Sequence, residues 1–446
     1  MCTGCAIDPV DPSPTELEVQ AFKTHATPPP PPPPHVDFPD DTGTVTTSGA
    51  IDTHNPFFLS LGTNQRACVT CHVADQAWTI TPEGVADRFN KSNGTDALFR
   101  TNDGSVSPTA DVSTLSAKRA AYSMLLNRAV IRVGLPIPAN AEFKLADVDD
   151  PYGFASADEL SLFRRPLPTT NLRFLSARMW DTREADLTQQ AIDATLGHAQ
   201  ATGVNAQQMA SIVTFETGIY TAQTKDKVAG DLTKGTTAGS APLVNLPFFI
   251  GINDPFGGNP NGDAFNPNAF TLFDSYAPPP VPKTGAADLQ RYAIYRGQQI
   301  FNTRPITITG VAGLNDLPGL ETIDGTCSTC HDVPNVGNHS VPLAIDIGLT
   351  TAARRTPDMP LYTLENLTTH ERIQTTDPGK ALITGKWADI NKFKAPILRG
   401  VVARPPYFHN GLAADLDAAV DFYNTRFGLG LSPQEHDDLV AFLQAL

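Results

Sequence analysis

The chain has little that could cross a membrane and little that could hold nucleic acid. Its longest apolar run, 241–252, is interrupted by Pro242, Asn245 and Pro247, which excludes a transmembrane helix there. No apolar leader follows Met1, because Cys2, Thr3, Gly4 and Cys5 come at once. Positive charge is scarce: 32 Lys and Arg stand against 47 Asp and Glu, a formal net charge of −15. That balance argues against a nucleic-acid partner and for a neutral or basic one, or it serves solubility alone. Cysteine is scarce as well, with six in 446 residues. Pro (39) and Gly (33) are abundant, so loops should make up much of a chain long enough for two or three domains.

Four of the six cysteines lie in two short motifs, Cys68-Val69-Thr70-Cys71-His72 and Cys327-Ser328-Thr329-Cys330-His331. C-x-x-C-H is the pattern of covalent c-type haem attachment. Two thiols add to the haem vinyl groups, and the adjacent His is placed to bind the iron. The competing reading is zinc, with four Cys pooled across a long separation. A His directly after each pair makes that a less natural ligand set than two haems. Two covalently bound haems are therefore expected, with His72 and His331 as iron ligands. Maturation of such cytochromes takes place outside the bacterial cytoplasm, so a periplasmic or cell-envelope location follows. On this reading an export signal has been removed. Cys2 or Cys5 then either carries a lipid anchor, as in a bacterial lipoprotein, or is an idle thiol of an N-terminal extension.

Residues 1–45 read as a linker, with Pro28 to Pro34 forming an unbroken proline run suited to a stiff polyproline II spacer. Phe57, Phe58, Leu59 and Leu61 precede the first motif and should pack on its haem. Apolar periodicity predicts helices over 117–133 (Tyr122, Leu125, Leu126, Ala129, Val133), 206–220 (Met209, Ile212, Val213, Phe215) and 287–301 (Leu289, Tyr292, Tyr295, Ile300). A last helix follows Ser432-Pro433-Gln434-Glu435, a capping box with Pro at the first helical position. The stretch 225–282 reads as a loop-rich insertion. Its Gly257 to Asp263 segment has calcium-like side chains but not EF-hand spacing. The expected fold is mainly α, with two cytochrome c-like haem domains, long loops and little β structure. The boundaries are a 1–45 tail, a 46–284 N-terminal haem domain and a 285–446 C-terminal haem domain.

Phe393-Lys394-Ala395-Pro396-Ile397-Leu398-Arg399-Gly400, then Pro406-Tyr407-Phe408-His409-Asn410-Gly411 and 416–423, resemble the bacterial dihaem cytochrome c peroxidase family, which includes MauG-type enzymes. Met179-Trp180-Asp181-Thr182-Arg183, followed by Gln190, is similar to that family's F-W-D-G-R block. The resemblance covers the core of both haem regions, but not the tail, the segment after His72 or 225–282. It implies that the N-terminal haem, on His72, is the reactive one and that the C-terminal haem, on His331, stores electrons. Trp180 would lie between them. The sixth ligand of the second iron is usually Met in the peroxidases and Tyr in MauG-type proteins, and Tyr423 matches it here. His409 would lie near that haem without binding iron, and His339 and Met359 are outside options for the ligand. On the distal side of the first haem the family uses a Gln, matching Gln190, and a Glu whose position is Gln200 here. Gln cannot take a proton from peroxide. His198, two residues earlier, would act as the acid–base group or ligate the iron. The displaceable distal His common after the first motif is missing, since no His lies between His72 and His198. The family's calcium site uses an Asn whose aligned position is Arg165. A fixed positive charge cannot ligate a cation, so calcium is the weaker cofactor expectation.

Three functions compete on this reading. The first is a peroxidase or peroxide-dependent oxidase, taking hydrogen peroxide or another small oxidant. Its electrons would come from a small cytochrome c or cupredoxin, or from an organic or protein substrate. The second is a non-catalytic electron carrier with both irons six-coordinate. The third is a dihaem oxygenase, with the segment after His72 as lid or channel.

Overall fold

The computed structural model describes residues 35–38, 41–317 and 319–446. The proline run and the N-terminal cysteines lie outside them. Nine α-helices are described: α1 (Pro82–Ser92), α2 (Leu115–Ala121), α3 (Ser123–Arg128), α4 (Leu187–Gly197), α5 (Ala206–Thr217), α6 (Ala286–Thr303), α7 (Ala381–Thr384), α8 (Leu416–Phe427) and α9 (Pro433–Gln444). They outweigh the strands, as expected, yet six sheets of two or three short strands are woven between them. None of the described helices is long and apolar enough to cross a membrane.

The sheets are where periodicity misled. Over 117–133 the helical pattern is split. Tyr122 leaves helical geometry between α2 and α3, Ala129 closes α3 in the left-handed region (φ 47°), and Val133 lies in the strand Ile131–Leu135. Likewise α5 stops at Thr217, and Tyr220 belongs to the strand Ile219–Gln223. That strand pairs antiparallel with Thr42–Thr46, which pairs in turn with His35–Asp37. The described end of the expected linker is thus built into a sheet. Its anchor is Thr44, whose hydroxyl lies 2.7 Å from that of Thr221 and accepts the Trp78 indole N–H at 3.0 Å.

The C-terminal helices follow the pattern closely. Ser432 caps α9 in the expected box with Glu435. α9 packs along α6, burying Phe301 and Ile294 against Phe442 and Leu439. Leu289, expected inward, is instead half exposed at 51%. The insertion 225–282 is irregular but not peripheral. Phe270 and Phe273 are fully buried and meet Phe442 edge-on at 5.3 and 6.3 Å between ring centroids. Burying two such rings supplies apolar area that the short helices lack.

Contacts between the two halves that carry the C-x-x-C-H motifs are extensive. Strand Leu361–Asn366 pairs antiparallel with Phe143–Asp149. Arg164, buried, donates to Asp377 at 2.7 and 2.9 Å and to Asp181 at 2.5 Å. Phe174, Tyr220 and Leu243 share a core with Val333, Val336 and Ile397.

Candidate functional site

Each C-x-x-C-H motif folds as a single 3₁₀ turn followed by its His, and the two turns share one local device. Both carry Thr at the third motif position. The Thr70 and Thr329 hydroxyls accept the backbone N–H of Ala67 and Thr326, each at 3.0 Å. The His backbone N–H then closes on the first Cys carbonyl at 3.1 Å in both copies. The four thiols stay unpaired. Among the described residues no group of three or more His, Cys, Asp or Glu converges to hold a metal, so the motifs do not pool into one four-Cys site.

Each motif instead lines its own apolar cavity, of about 160 Å³ at His72 and about 200 Å³ at His331. The imidazoles are set up as ligands. His72 Nδ1 faces the Trp78 carbonyl at 3.2 Å, and His331 Nδ1 faces that of Gly337 at 2.5 Å. A carbonyl can only accept, so Nδ1 carries the proton and Nε2 keeps its lone pair. Burial pushes both rings down to about 4, which keeps them neutral at pH 7. Buried polar atoms without partners face each cavity, Glu216 Oε2 at the first and both ring nitrogens of His409 at the second. Two thiols, a bare imidazole nitrogen and an apolar cavity with a few orphan polar atoms are the donor set of c-type haem, and the residues fit it.

In the cavity at His72, α4 supplies Gln190, and the residue that caps its C-terminus is His198. Asp186 starts this helix by accepting Gln189 N–H at 2.8 Å. Gln200 is not brought to the cavity. α4 ends at Gly197 and the chain turns left-handed at Gln200 (φ 53°), leaving that side chain exposed and its carbonyl held by Thr63. His198 Nδ1 is 2.6 Å from Asp103 Oδ2. Asp103 is buried and also paired with Arg66. Burial pushes the Asp103 carboxyl up, but Arg66 and His198 outweigh it and hold it below the usual range. An ionised carboxylate only accepts, so the proton stays on Nδ1 as the donor and Nε2 of His198 keeps its lone pair. Arg66 fixes this arrangement from two residues before Cys68. It also donates to Ala97 and Leu98 carbonyls at 2.9 and 2.7 Å, while Asn64 holds the His198 carbonyl at 2.7 Å.

Asp103 was not legible beforehand, because nothing local marks a carboxylate 95 positions from its partner. Glu216, on α5, was missed because nothing in its own segment marks an acid that packing buries without a partner. It lines the same cavity, and burial drives it up to about 8.

Trp180 lines both cavities, as do Lys394 and Pro396. Its indole N–H donates to the Arg165 carbonyl at 2.8 Å, and its ring meets His409 edge-on at 6.2 Å. His409 stacks on Phe393 at 4.0 Å. Lys394 donates to the Ala177 carbonyl at 2.9 Å, and burial lowers it to about 7. In the second cavity Tyr423 on α8 shares the lining with His331, Cys327 and Cys330. Burial raises its phenol well above the ordinary range. Met359 packs instead with Met124 and Phe163, away from that lining. His339 lies 3.2 Å from Asp332 and is likewise absent from the lining.

No family model matches the chain. The protein named cytochrome-c peroxidase IdrP2 from Denitromonas iodatirespirans is 37% identical over 134 residues, 27% of this chain and 36% of that protein. Cytochrome-c peroxidase IdrP1 from Pseudomonas sp. (strain SCT) is 31% identical over 140 residues, again 27% and 36% of the two chains. Cytochrome c551 peroxidase from Pseudomonas aeruginosa is 30% identical over 125 residues, 28% of this chain and 31% of that one. The matched stretch thus spans about a third of these relatives. A solved structure described as a MauG-like protein associated with microbial copper homeostasis aligns over 95% of both chains, at 15% identity and a TM-score of 0.42.

Proposed function

We propose that this chain, which belongs to the bacterial dihaem cytochrome c peroxidase and MauG superfamily, is a peroxidase-type oxidoreductase of the cell envelope with two c-type haems. The observation that carries the reading is the oriented imidazole of His198, held on buried Asp103 in the cavity of His72. When bound, haem iron supplies the redox chemistry for hydrogen peroxide plus two protons and two electrons to become two water molecules. Cys68 and Cys71 tether the group and His72 holds its iron. His198 Nε2 takes the proton of an incoming peroxide and returns it to the departing oxygen, a role Gln200 cannot fill. Gln190, lining the same cavity, offers its side-chain amide N–H to the bound peroxide. Cys327, Cys330, His331 and Tyr423 hold the second haem. A phenolate oxygen is a hard anionic donor that favours the oxidised metal. Trp180, lining both cavities, is the side chain through which electrons pass between them. Those electrons come from a small redox protein, a cytochrome c or cupredoxin, or from an organic or protein substrate.

A second reading rests on the same His198. Its free Nε2 shares the cavity with His72, so it could close the iron and leave an electron carrier. Electron paramagnetic resonance of the ferric holoprotein, before and after peroxide, separates the two. The peroxidase reading expects a high-spin centre that is consumed by peroxide. Two low-spin centres inert to peroxide would sink it. His198→Ala is expected to keep the resting spin state and slow turnover on the order of 10²–10⁴-fold. Conversion of a low-spin centre to high spin would make His198 a ligand. Asp103→Asn is expected to give a smaller loss and a shifted pH–rate profile, because the amide no longer fixes the ring tautomer.

A further inference from the structure

The resemblance implies calcium between the haem regions, and the residues there do not fit it. Arg165 is buried, and its guanidinium is surrounded by backbone carbonyls. Nη1 donates to Arg128 and Ala129 at 3.2 and 2.9 Å. Nη2 donates to Arg404 and Pro405 at 3.4 and 3.2 Å. Four backbone carbonyl oxygens converge on the guanidinium, oxygen donors of the kind that a hard cation takes among its six to eight ligands. Two of them close α3, where a helix end presents unsatisfied carbonyls. The other two come from a stretch nearly 280 residues further along the chain.

We infer that the Arg165 guanidinium is a built-in replacement for a divalent cation, tying residues 128–129 to 404–405 so that this junction needs no calcium. The inference stands whether or not the His72 cavity turns over peroxide, since it rests on the carbonyl cage alone. A calcium ion could not enter, because a fixed cation already fills the oxygen set. Burial, then Arg404, push the guanidinium down to about 9, with Tyr407 opposing, so it stays charged at neutral pH. The cage bears directly on the electron route. The Arg165 backbone N–H donates to the His409 carbonyl at 2.6 Å, and the Arg165 carbonyl accepts Trp180 Nε1. One residue therefore registers both rings that flank the second cavity.

The test compares thermal unfolding of the holoprotein in chelator and in millimolar calcium, with isothermal calorimetry of calcium binding. The wild type is expected to show the same Tm in both and no heat of binding. Arg165→Asn leaves four carbonyls and adds an amide oxygen, so it is expected to lose several degrees in chelator and regain them in calcium. Arg165→Met, with no oxygen to offer, is expected to lose as much and regain nothing. A calcium-dependent Tm or a binding isotherm in the wild type overturns the inference. So does an Arg165→Asn protein that calcium does not rescue. Should that variant fail to fold, the wild-type titration alone decides.

Discussion

Glu216 shows how much a single buried side chain can be made to hold. It is 3% exposed, Oε2 has no partner, and burial pushes it up to about 8. In the folded state it keeps a proton that an unfolded Glu would release near 4.5. Its stabilising contribution is thus complete below the ordinary Glu range and is lost as pH rises through about 8. Glu216→Gln removes the titration. The melting temperature of the wild type should fall relative to that variant between about pH 5 and pH 9. Parallel curves would mean that Glu216 has a partner or water in solution. At this scale the two C-x-x-C-H motifs were plain in the chain, because each packs thiols and imidazole into five consecutive positions. The residues that tune the first cavity were not. Arg66 meets Asp103, and Asp103 meets His198, only after 37 and 95 positions of intervening chain have folded back. No local pattern records such a pairing.

Helices α6 and α9 show the same division one level up. Both were legible, one from apolar spacing and one from its capping box, because those signals act within a few residues. How closely they cross was not legible. Gly297 of α6 lies against α9 so tightly that an added Cβ would fall on the Asp438 carbonyl oxygen and within 2.6 Å of Phe442 Cβ. Gly297→Ala should therefore destabilise, despite the better helix propensity of Ala, by about 1–3 kcal/mol or more in urea unfolding. A neutral or stabilising result would show that the helices separate at no cost. The 117–133 stretch was misjudged for a related reason. Leu125, Leu126 and Ala129 fit a helical stripe, but Ala129 takes a left-handed cap, and Val133 pairs through its strand with Leu160–Arg164. Strand pairing with a distant segment overrode a local preference.

Across the whole molecule, the two motif-bearing halves are joined by charge as well as by core. Arg164 spans Asp181, next to Trp180, and Asp377, and all three are buried. Burial and these carboxylates compete, and the carboxylates win, raising Arg164 above its usual range. Removing the cation strands buried Asp377 and leaves buried Asp181 to Arg183 alone. Arg164→Met should cost about 3–5 kcal/mol by chemical denaturation and disturb Trp180 fluorescence. A loss below about 1 kcal/mol would mean that water reaches the pair. The proposed division at 46–284 and 285–446 remains a division of haem motifs. The Leu361–Asn366 strand, pairing with Phe143–Asp149, runs across it.

What the amino-acid order determined by itself was chemistry that lives in consecutive residues: two attachment motifs, the helices with their own caps, and a net negative surface. Contacts over five residues need no tertiary structure to exist. Only the tertiary structure decided what faces the cavity beside each motif. It turned Gln200 out, set His198 on Asp103, laid Trp180 along both cavities and seated Arg165 among four carbonyls. Those groups come from loops whose burial and hydrogen-bond partners are chosen by packing between distant segments, and no periodicity along the chain encodes that choice.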